Sequence, residues 1–409
     1  MQRDIMINVS KFAGLVAVAA MLAASPVLAA DVKVGILGDI TGPIEALAGP
    51  IVKSAQTAFD EINAQGGILD GGKIVVVTGD SACDPSVAGP AADKLVNTDK
   101  VIGIVGAFCT GATIGAATAA GIPGGVVMIS PSATAPALTT LDDNDLVFRT
   151  APSDAFQGVK LADLLIQKGI KSVALTYVNN DYGKGLADVF KAQYAKDGGK
   201  VSADVSHEDG KADYRAELGT LAAGGDQNLV IIAYASGSGH TILQQALESG
   251  DFSTYIGVDG MIGDDLLKGL DASAVNGKLF ATRAGSYSGD GAAAFDKNEA
   301  SLKNASGQFD TYVPQAYDAA FLLALAIEKN GKADRAGLNK ALRDVATAPG
   351  DKILPGEWKK AVEDIKAGKD IDYDGAAGPA EFDAAGDVDG IIVEVDVKDG
   401  KFVEVGPVK

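Results

Sequence analysis

Two short apolar runs decide the fold: Val32-Lys-Val-Gly-Ile-Leu37 and Lys73-Ile-Val-Val-Val-Thr78. Both are rich in β-branched residues and both lead into Gly or Asp, a pattern typical of buried parallel strands. Between them the apolar residues recur on one face of a helix, which Gly66 and Gly67 terminate. The residues of that face are Ile51, Ala55, Ala58, Phe59 and Ile62. A strand, a helix and a second strand in this order predict a right-handed βαβ unit and an α/β fold.

The same alternation continues outward in two series. The further predicted strands are Val101–Val105 and Val126–Ile129 in the first series, and Ser172–Tyr177, Val201–Val205, Leu229–Ala233 and Tyr255–Val258 in the second, with helices near 154–168, 182–196, 213–223 and 240–249. Two series in 409 residues predict two doubly wound open-sheet lobes. A helical block is predicted over 286–345, and strands return at Ile391–Val397 and Phe402–Val405.

Three interruptions of the pattern, near residues 150, 284 and 378, predict that the chain crosses between the lobes three times. Several crossings side by side form a hinge and not a loose tether. Lobe one is therefore expected to comprise 30–150 plus 284–378, and lobe two 151–283 plus 379–409. No role is assigned to the stretch 350–376.

The N-terminus has the order of a secretory signal peptide. A weakly basic start is followed by the apolar run Phe12–Ala24 and by a small-residue end, which predicts a signal peptide over 1–29 with cleavage between Ala29 and Ala30. The alternative is a membrane anchor, but the apolar run is too short to span a bilayer comfortably. We expect an exported protein.

The charge is strongly acidic, with a formal net value of −19 at pH 7. Removal of the predicted signal peptide takes away Arg3, Asp4 and Lys11, so the exported form carries −20. Nucleic acid is disfavoured as a partner because phosphate binding requires clustered Lys and Arg. Colloidal solubility is the simpler explanation of the charge.

The chain has two cysteines, Cys83 and Cys109. In an exported protein an isolated pair favours a disulfide, and two free thiols are the alternative.

Catalytic signatures are scarce. The two histidines, His207 and His240, have neither metal-ligand nor nucleophile spacing, and the sequence contains no nucleophile elbow, P-loop or zinc-protease motif. Ser236-Gly-Ser-Gly-His240 resembles a dinucleotide loop but lacks the third Gly. The sequence therefore predicts neither an enzyme nor a cofactor or metal requirement.

One stretch matches a calcium-loop template: Asp370, Asp372, Asp374 and Gly375, followed by Glu381. Pro379 and the turn-rich residues after it give no exit helix. An acidic loop without calcium is the favoured interpretation.

The candidate ligand-binding residues follow strands at their carboxyl ends, where open α/β sheets bind ligands. Phe108 and Thr110 follow the third strand of the first series, and Ser132, Ala133 and Thr134 follow the fourth. Thr110 is expected to cap its helix and to bind a ligand carboxylate with exposed N–H groups.

In the second series Tyr182 and Asp259 occupy equivalent positions, where Asp259 can pair with an ammonium group and Tyr182 can cover the ligand. Ordinary turn capping is the alternative for the residues of the first series; for Tyr182 it is a helix-start Asp-Tyr turn, and for Asp259 a turn position that faces solvent.

At these residues the sequence resembles the periplasmic leucine/isoleucine/valine-binding proteins of ABC transporters, which have the type I periplasmic binding fold. The segments that carry the resemblance, from about residue 31 to the end, are 31–43, 60–68, 80–85 with Cys109, 130–136 and 182–187. It implies a disulfide between Cys83 and Cys109. It also implies that a small amino acid binds between the lobes and is delivered to a membrane permease by a monomeric periplasmic protein.

The resemblance implies a role for each residue. Thr110 corresponds to a carboxylate-binding hydroxyl residue, and Ser132 and Thr134 to residues that bind both carboxylate and ammonium. Asp259 corresponds to the acid that pairs with the ammonium. The residues that line the side-chain pocket are Tyr182, Tyr312 and Phe108.

Two departures affect that pocket. Leu47 and Ala235 stand where the family often has aromatic rings, so the preferred side chain stays open. A branched-chain or other small apolar amino acid is expected; another small carboxylate, a periplasmic sensor domain or a periplasmic enzyme are the alternatives.

Overall fold

The computed structural model describes residues 30–409, and the signal peptide predicted over 1–29 lies outside them. The strands are β1 (Val32–Gly38), β2 (Ile74–Asp80), β3 (Gly103–Gly106), β4 (Val127–Ser130), β5 (Val147–Arg149), β6 (Ser172–Val178), β7 (Lys200–His207), β8 (Asn228–Ile232), β9 (Thr254–Gly257), β10 (Leu279–Ala284), β11 (Asp351–Ile353), β12 (Ile371–Tyr373), β13 (Ile392–Lys398) and β14 (Lys401–Pro407). The helices are α1 (Glu45–Ala64), α2 (Pro85–Asp93), α3 (Thr110–Ala116), α4 (Asp154–Gln167), α5 (Asp181–Lys196), α6 (Arg215–Ala222), α7 (His240–Ser249), α8 (Asp264–Leu267), α9 (Ala272–Val275), α10 (Asp290–Asn298), α11 (Val313–Asn330), α12 (Leu338–Ala346) and α13 (Trp358–Lys366).

Two open sheets organise these elements. The first has the strand order β2-β1-β3-β4-β5 and is parallel throughout. The second has the order β14-β13-β10-β9-β8-β6-β7, in which the β10-to-β7 part is parallel and β13 and β14 are antiparallel. The predicted architecture of two doubly wound open-sheet lobes is confirmed. The carboxyl ends of the parallel strands supply the loops that form the candidate site.

The first sheet is covered by α1 and α11, which pack against each other. The predicted face of α1 is buried at all of its positions. Helix α11 is buried from Val313 to Glu328, as expected of a helix that is apolar on nearly every side. It lies so close to β3 that a Cβ atom at Gly103 would approach Leu323 to 2.5 Å. The rigid α1–α11 pair positions Tyr312, which immediately precedes α11.

Four strands, β5, β10, β11 and β12, were missed because their patterns are short or weak. β5 has three residues, and β10 has the sequence Leu-Phe-Ala-Thr-Arg-Ala, in which polar Thr282 and Arg283 interrupt the apolar run. Thr282 is nevertheless buried.

The position of the third crossing, expected near 378, is judged from the contacts of residues 382–387. Gly386 accepts the backbone N–H of Arg149 at 3.0 Å, and the ring of Phe382 packs edge-on against Phe148, with centroids 5.0 Å apart. Asp387 pairs with the buried guanidinium of Arg149. Because 382–387 contact β5, we propose that lobe two resumes after Asp387 and not at 379.

The stretch 350–376 forms a small addition to lobe one. β11 and β12 pair in parallel and α13 lies between them in sequence; β12 packs on α12, and α13 packs on α11. Trp358 is buried and donates its indole N–H to the carbonyl oxygen of Gly67 at 2.9 Å. The addition therefore extends the hydrophobic core around Phe321, which contacts the rings of both Trp358 and Tyr373.

The calcium-loop template is not realised. Residues 371–373 are a strand, and Asp374 is paired with Lys352 at 2.9 Å. Glu381 accepts the backbone N–H of Ala348 instead. Within residues 30–409 the acidic side chains of this stretch do not converge on a common point. None of the helices between residues 30 and 409 has both the length and the apolar character needed to cross a membrane.

Candidate ligand-binding site

A cavity that is partly open to solvent lies between the two lobes; its space, open solvent included, is about 360 Å³. Its walls are Ile44, Leu47, Ile51, Phe108, Cys109, Thr110, Ser132 and Tyr312 from lobe one, and Tyr182, Tyr234, Asp259 and Gly260 from lobe two. The predicted binding residues thus come together here, except Ala133 and Thr134, which are buried but do not line this cavity. The cavity is apolar apart from Thr110, Ser132, Asp259 and the tyrosine hydroxyls.

The acidic end of the cavity is Asp259, just after β9. Its side chain accepts three hydrogen bonds: from Tyr182 Oη at 2.9 Å, from Gln157 Nε2 at 2.9 Å and from Tyr312 Oη at 2.8 Å. Burial raises the pKa of the Asp259 carboxyl, and the three donors act in the opposite direction. A buried carboxylate that is held in this way is oriented to pair with a cation.

A second buried acid, Asp154, opens α4. Its Oδ2 accepts the hydroxyl of Thr134 at 2.9 Å, and its backbone N–H donates to the Thr134 carbonyl at 2.8 Å. Burial and the charge of Asp259 raise its pKa well above the ordinary value. The hydroxyl of Thr134, predicted to bind ligand, is therefore engaged by Asp154.

The lobe-one wall is held by Asp39, which follows β1. Its carboxylate accepts the backbone N–H groups of Phe108 and Cys109, both at 2.9 Å, and that of Cys83 at 2.7 Å. Ser81 donates its hydroxyl to the same carboxylate. The predicted disulfide between Cys83 and Cys109 is confirmed and closes this loop from the other side. The Asp39 hydrogen bonds and the disulfide thus hold the backbone next to Thr110 in place independently of each other.

The prediction that Thr110 caps its helix is wrong. Thr110 is the first residue of α3, and Cys109 occupies the cap position without a side-chain hydrogen bond. The Thr110 Oγ1 instead accepts the backbone N–H of Ala135 at 3.2 Å, and within residues 30–409 its own hydrogen has no acceptor. That hydrogen remains available for a ligand oxygen.

The two lobes supply aromatic walls. Tyr182 and Tyr234 stack, with ring centroids 5.4 Å apart and planes at 19°. Asn180 donates to Tyr234 Oη at 3.0 Å and so fixes the outer ring. Tyr312 has a left-handed backbone (φ 67°), which is uncommon for an aromatic residue and marks a constrained position at the start of α11.

Sequence reasoning missed Asp39, Asp154, Gln157 and Tyr234. Asp39 and Tyr234 carried a usable signal, since each comes within two residues of the carboxyl end of a parallel strand, as Asp259 does. Asp154 and Gln157 carried none, because an acid and an amide one turn apart at a helix start are typical of exposed positions.

A larger cavity adjoins the first one. Its space, which includes open solvent, is about 1000 Å³, and its lining includes Leu47, Arg283, Thr311 and Glu404. Leu47 borders both cavities.

Two lobes that share a cavity, with an oriented acid on one side and a free hydroxyl on the other, define a cleft-type binding protein. The chain matches the family model for periplasmic binding proteins over residues 31–371 and belongs to that family.

Named relatives agree with this assignment. The chain is 32% identical over 324 residues to the leucine-, isoleucine-, valine-, threonine-, and alanine-binding protein of Pseudomonas aeruginosa, covering 78% of this chain and 84% of that protein. It is 32% identical over 345 residues to the Leu/Ile/Val-binding protein BraC3 of Rhizobium johnstonii, covering 83% and 91%. The resemblance drawn from the sequence is confirmed.

A solved structure agrees on the fold. The branched-chain amino acid transporter substrate-binding protein LivJ of Streptococcus pneumoniae, in complex with isoleucine, superimposes with a TM-score of 0.74 at 26% identity. The match covers 91% of this chain and 99% of that one.

Proposed function

We propose that this chain is the exported, periplasmic substrate-binding component of an ABC transporter and that it binds an α-amino acid with a small apolar side chain. The observation that carries the proposal is the oriented carboxylate of Asp259 in the interlobe cavity, on the opposite lobe from the free hydroxyl of Thr110. A zwitterion offers an ammonium group to the first and a carboxylate to the second.

The remaining walls suit an apolar side chain. Ile44, Leu47, Ile51 and Phe108 line the cavity and present only apolar side chains to it. The names of two relatives state that those proteins bind leucine, isoleucine and valine. A carboxylic acid without an amine is disfavoured, because its charge would meet the buried carboxylate of Asp259.

Binding is proposed to act by closing the lobes. A ligand shifts an open–closed balance only by the free energy that it gains in the closed form. Contacts to Thr110 from one lobe and to Asp259 from the other exist together only when the cleft is closed. The closed monomer is then recognised by a membrane permease, which takes up the amino acid.

Isothermal titration calorimetry of purified protein tests the ligand class. We expect a branched-chain or other small apolar amino acid to bind, and Asp259→Asn to weaken that binding by about 2–4 kcal/mol because the ammonium loses its buried partner. Asp251→Asn, at an exposed position of the same lobe, is the matched control. Wild-type protein that binds no amino acid would overturn the proposal.

Uptake of the labelled amino acid by cells that lack this gene separates transport from sensing. Transport predicts that uptake falls and that the wild-type gene restores it, whereas a sensor leaves uptake unchanged.

A further inference from the structure

Asp154 has an unusual environment for a buried acid. Its side chain is fully buried, and only Oδ2 is engaged, by the hydroxyl of Thr134. The other oxygen, Oδ1, has no hydrogen-bond partner within residues 30–409. A buried acceptor without a donor costs free energy, so the site favours a group that supplies a proton or a positive charge.

The charges around Asp154 do not supply it. Arg149 is the nearest cation that acts on it, but its guanidinium already pairs with Asp387 and donates to the carbonyl oxygens of Thr134 and Ala135. The other titratable groups that face Asp154 are the carboxyl of Asp259 and the phenols of Tyr182 and Tyr312.

Of those groups only Asp259 adds a charge, and that charge is negative. Both phenols have raised pKa values, caused first by burial and then by the charges of Asp259 and Asp154, so both are neutral. Tyr182 and Tyr312 donate to Asp259, and Gln157, one turn after Asp154 on α4, donates to the same carboxyl. Asp259 therefore accepts hydrogen bonds from all three of these side chains, whereas the side chain of Asp154 accepts a single hydrogen bond, from Thr134.

We propose that Asp154 is a second acidic partner of the ligand's amine: the empty cleft holds one proton on the Asp154–Asp259 pair, and the bound ammonium replaces that proton. This inference rests on the proposed function and makes the protonated amine of the ligand a group for which the site selects. Asp154 lies behind the cavity wall, next to Thr134, so it acts on the amine through charge and through Asp259. It is a positioning and specificity residue.

The proton balance is simple. Without ligand the pair carries one negative charge and one proton; when the ligand enters, the proton leaves to solvent and the ammonium balances one of the two carboxylates. The ligand's carboxylate goes to Thr110 and does not take part. Release occurs where the empty pair is still protonated, so affinity falls as the pH is lowered through that range and levels off above it.

Calorimetry in two buffers of different ionisation enthalpy measures the number of protons released for each ligand bound. For wild-type protein we expect a release between zero and one, which increases as the pH is lowered from neutral. In Asp154→Asn, which keeps the shape and the Thr134 contact, we expect the release to vanish. We also expect at least about a tenfold loss of affinity for the amino acid.

A des-amino analogue, the same carbon skeleton with its carboxylate but without the amine, separates charge from structure. A merely structural role predicts equal losses for both compounds in Asp154→Asn. The proposal predicts a loss for the amino acid and an unchanged or improved affinity for the analogue. Asp163→Asn, on the same helix and paired with Lys160, is the matched control and should behave as wild type.

Wild-type protein that binds its amino acid with no proton release at any pH in this range overturns the inference, even if Asp154→Asn fails to fold. Equal affinity losses for both compounds overturn it as well. Neither result affects the proposed function, which is tested separately by amino-acid binding to wild-type protein and by uptake.

Discussion

Tyr312 of lobe one and Asp259 of lobe two are joined across the cleft by a hydrogen bond of 2.8 Å. Tyr182 donates to the same carboxyl at 2.9 Å, but from within lobe two. The two tyrosines are therefore chemically matched, and they differ in whether their bond crosses between the lobes.

This difference makes a first prediction about closure. Tyr312→Phe removes an interlobe hydrogen bond to a charged group, so we expect the unliganded protein to be more open and ligand affinity to fall by about 1.5–3 kcal/mol. Small-angle X-ray scattering of unliganded protein, with the radius of gyration as readout, and calorimetry measure the two effects.

Tyr182→Phe is the control for that experiment. It removes a bond to the same carboxyl without weakening the contact between lobes, so affinity falls while the radius of gyration stays at the wild-type value. An equal change of radius in both variants would contradict the assignment of Tyr312 to closure.

Periodicity located the sheets and helices because it reports burial, and burial is what these elements share. The apolar face of α1, from Ile51 to Ile62, was correctly predicted for this reason. β10 was not predicted because Thr282 and Arg283 interrupt its apolar run. Its pairing with β9 and β13 nevertheless holds it in the sheet. Tertiary pairing overrode local pattern there.

The candidate site was predictable to the extent that strand ends mark it. Thr110, Ser132 and Asp259 follow strands and line the cavity. The engagement of Thr134 by Asp154 was not predictable, because it joins residues 20 positions apart whose spacing has no periodic meaning. Likewise, the sequence does not indicate that the carboxylate of Asp39 accepts the backbone N–H groups of Phe108 and Cys109, because these residues lie far apart along the chain.

The disulfide leads to a second prediction, on stability. Cys83 and Cys109 are 26 residues apart, and closing a loop of that length stabilises the folded state by about 3.5 kcal/mol in the chain-entropy description. Cys83→Ser with Cys109→Ser is expected to lower the free energy of unfolding by about that amount, measured by urea denaturation. Wild-type protein with a reductant should match the double variant, and a double variant as stable as oxidised wild type would rule the prediction out.

A third prediction concerns pH. His207 is buried between the hydroxyls of Thr176, at 2.7 Å, and Ser238, at 3.0 Å. Burial lowers its pKa to about 4. The unfolded chain, with a pKa of about 6.5, then binds more protons than the folded one, so the contribution of His207 is complete above about pH 6.5 and is lost as the pH falls toward the folded value.

The expected size of this loss is about 2 kcal/mol between about pH 6.5 and 5. Urea denaturation at both pH values should show it in wild type and show a smaller loss in His207→Gln. His240→Gln changes the other histidine of the chain and should keep the wild-type slope. Identical slopes in all three proteins would refute this role of His207.

Leu47 provides the last prediction, on which side chain the cavity accepts. It is nearly buried and borders both the ligand cavity and the wider one beside it. Leu47→Phe adds bulk, so we expect about a tenfold loss of affinity for a leucine-sized ligand and little change for alanine. Leu47→Ala is expected to join the two cavities. It should therefore raise the affinity for amino acids with larger side chains relative to the affinity for alanine. Calorimetry with alanine, valine, leucine and phenylalanine measures both series. If each substitution changes all four affinities by the same factor, Leu47 does not read the side chain, and the apolar end of the ligand lies elsewhere in the cleft.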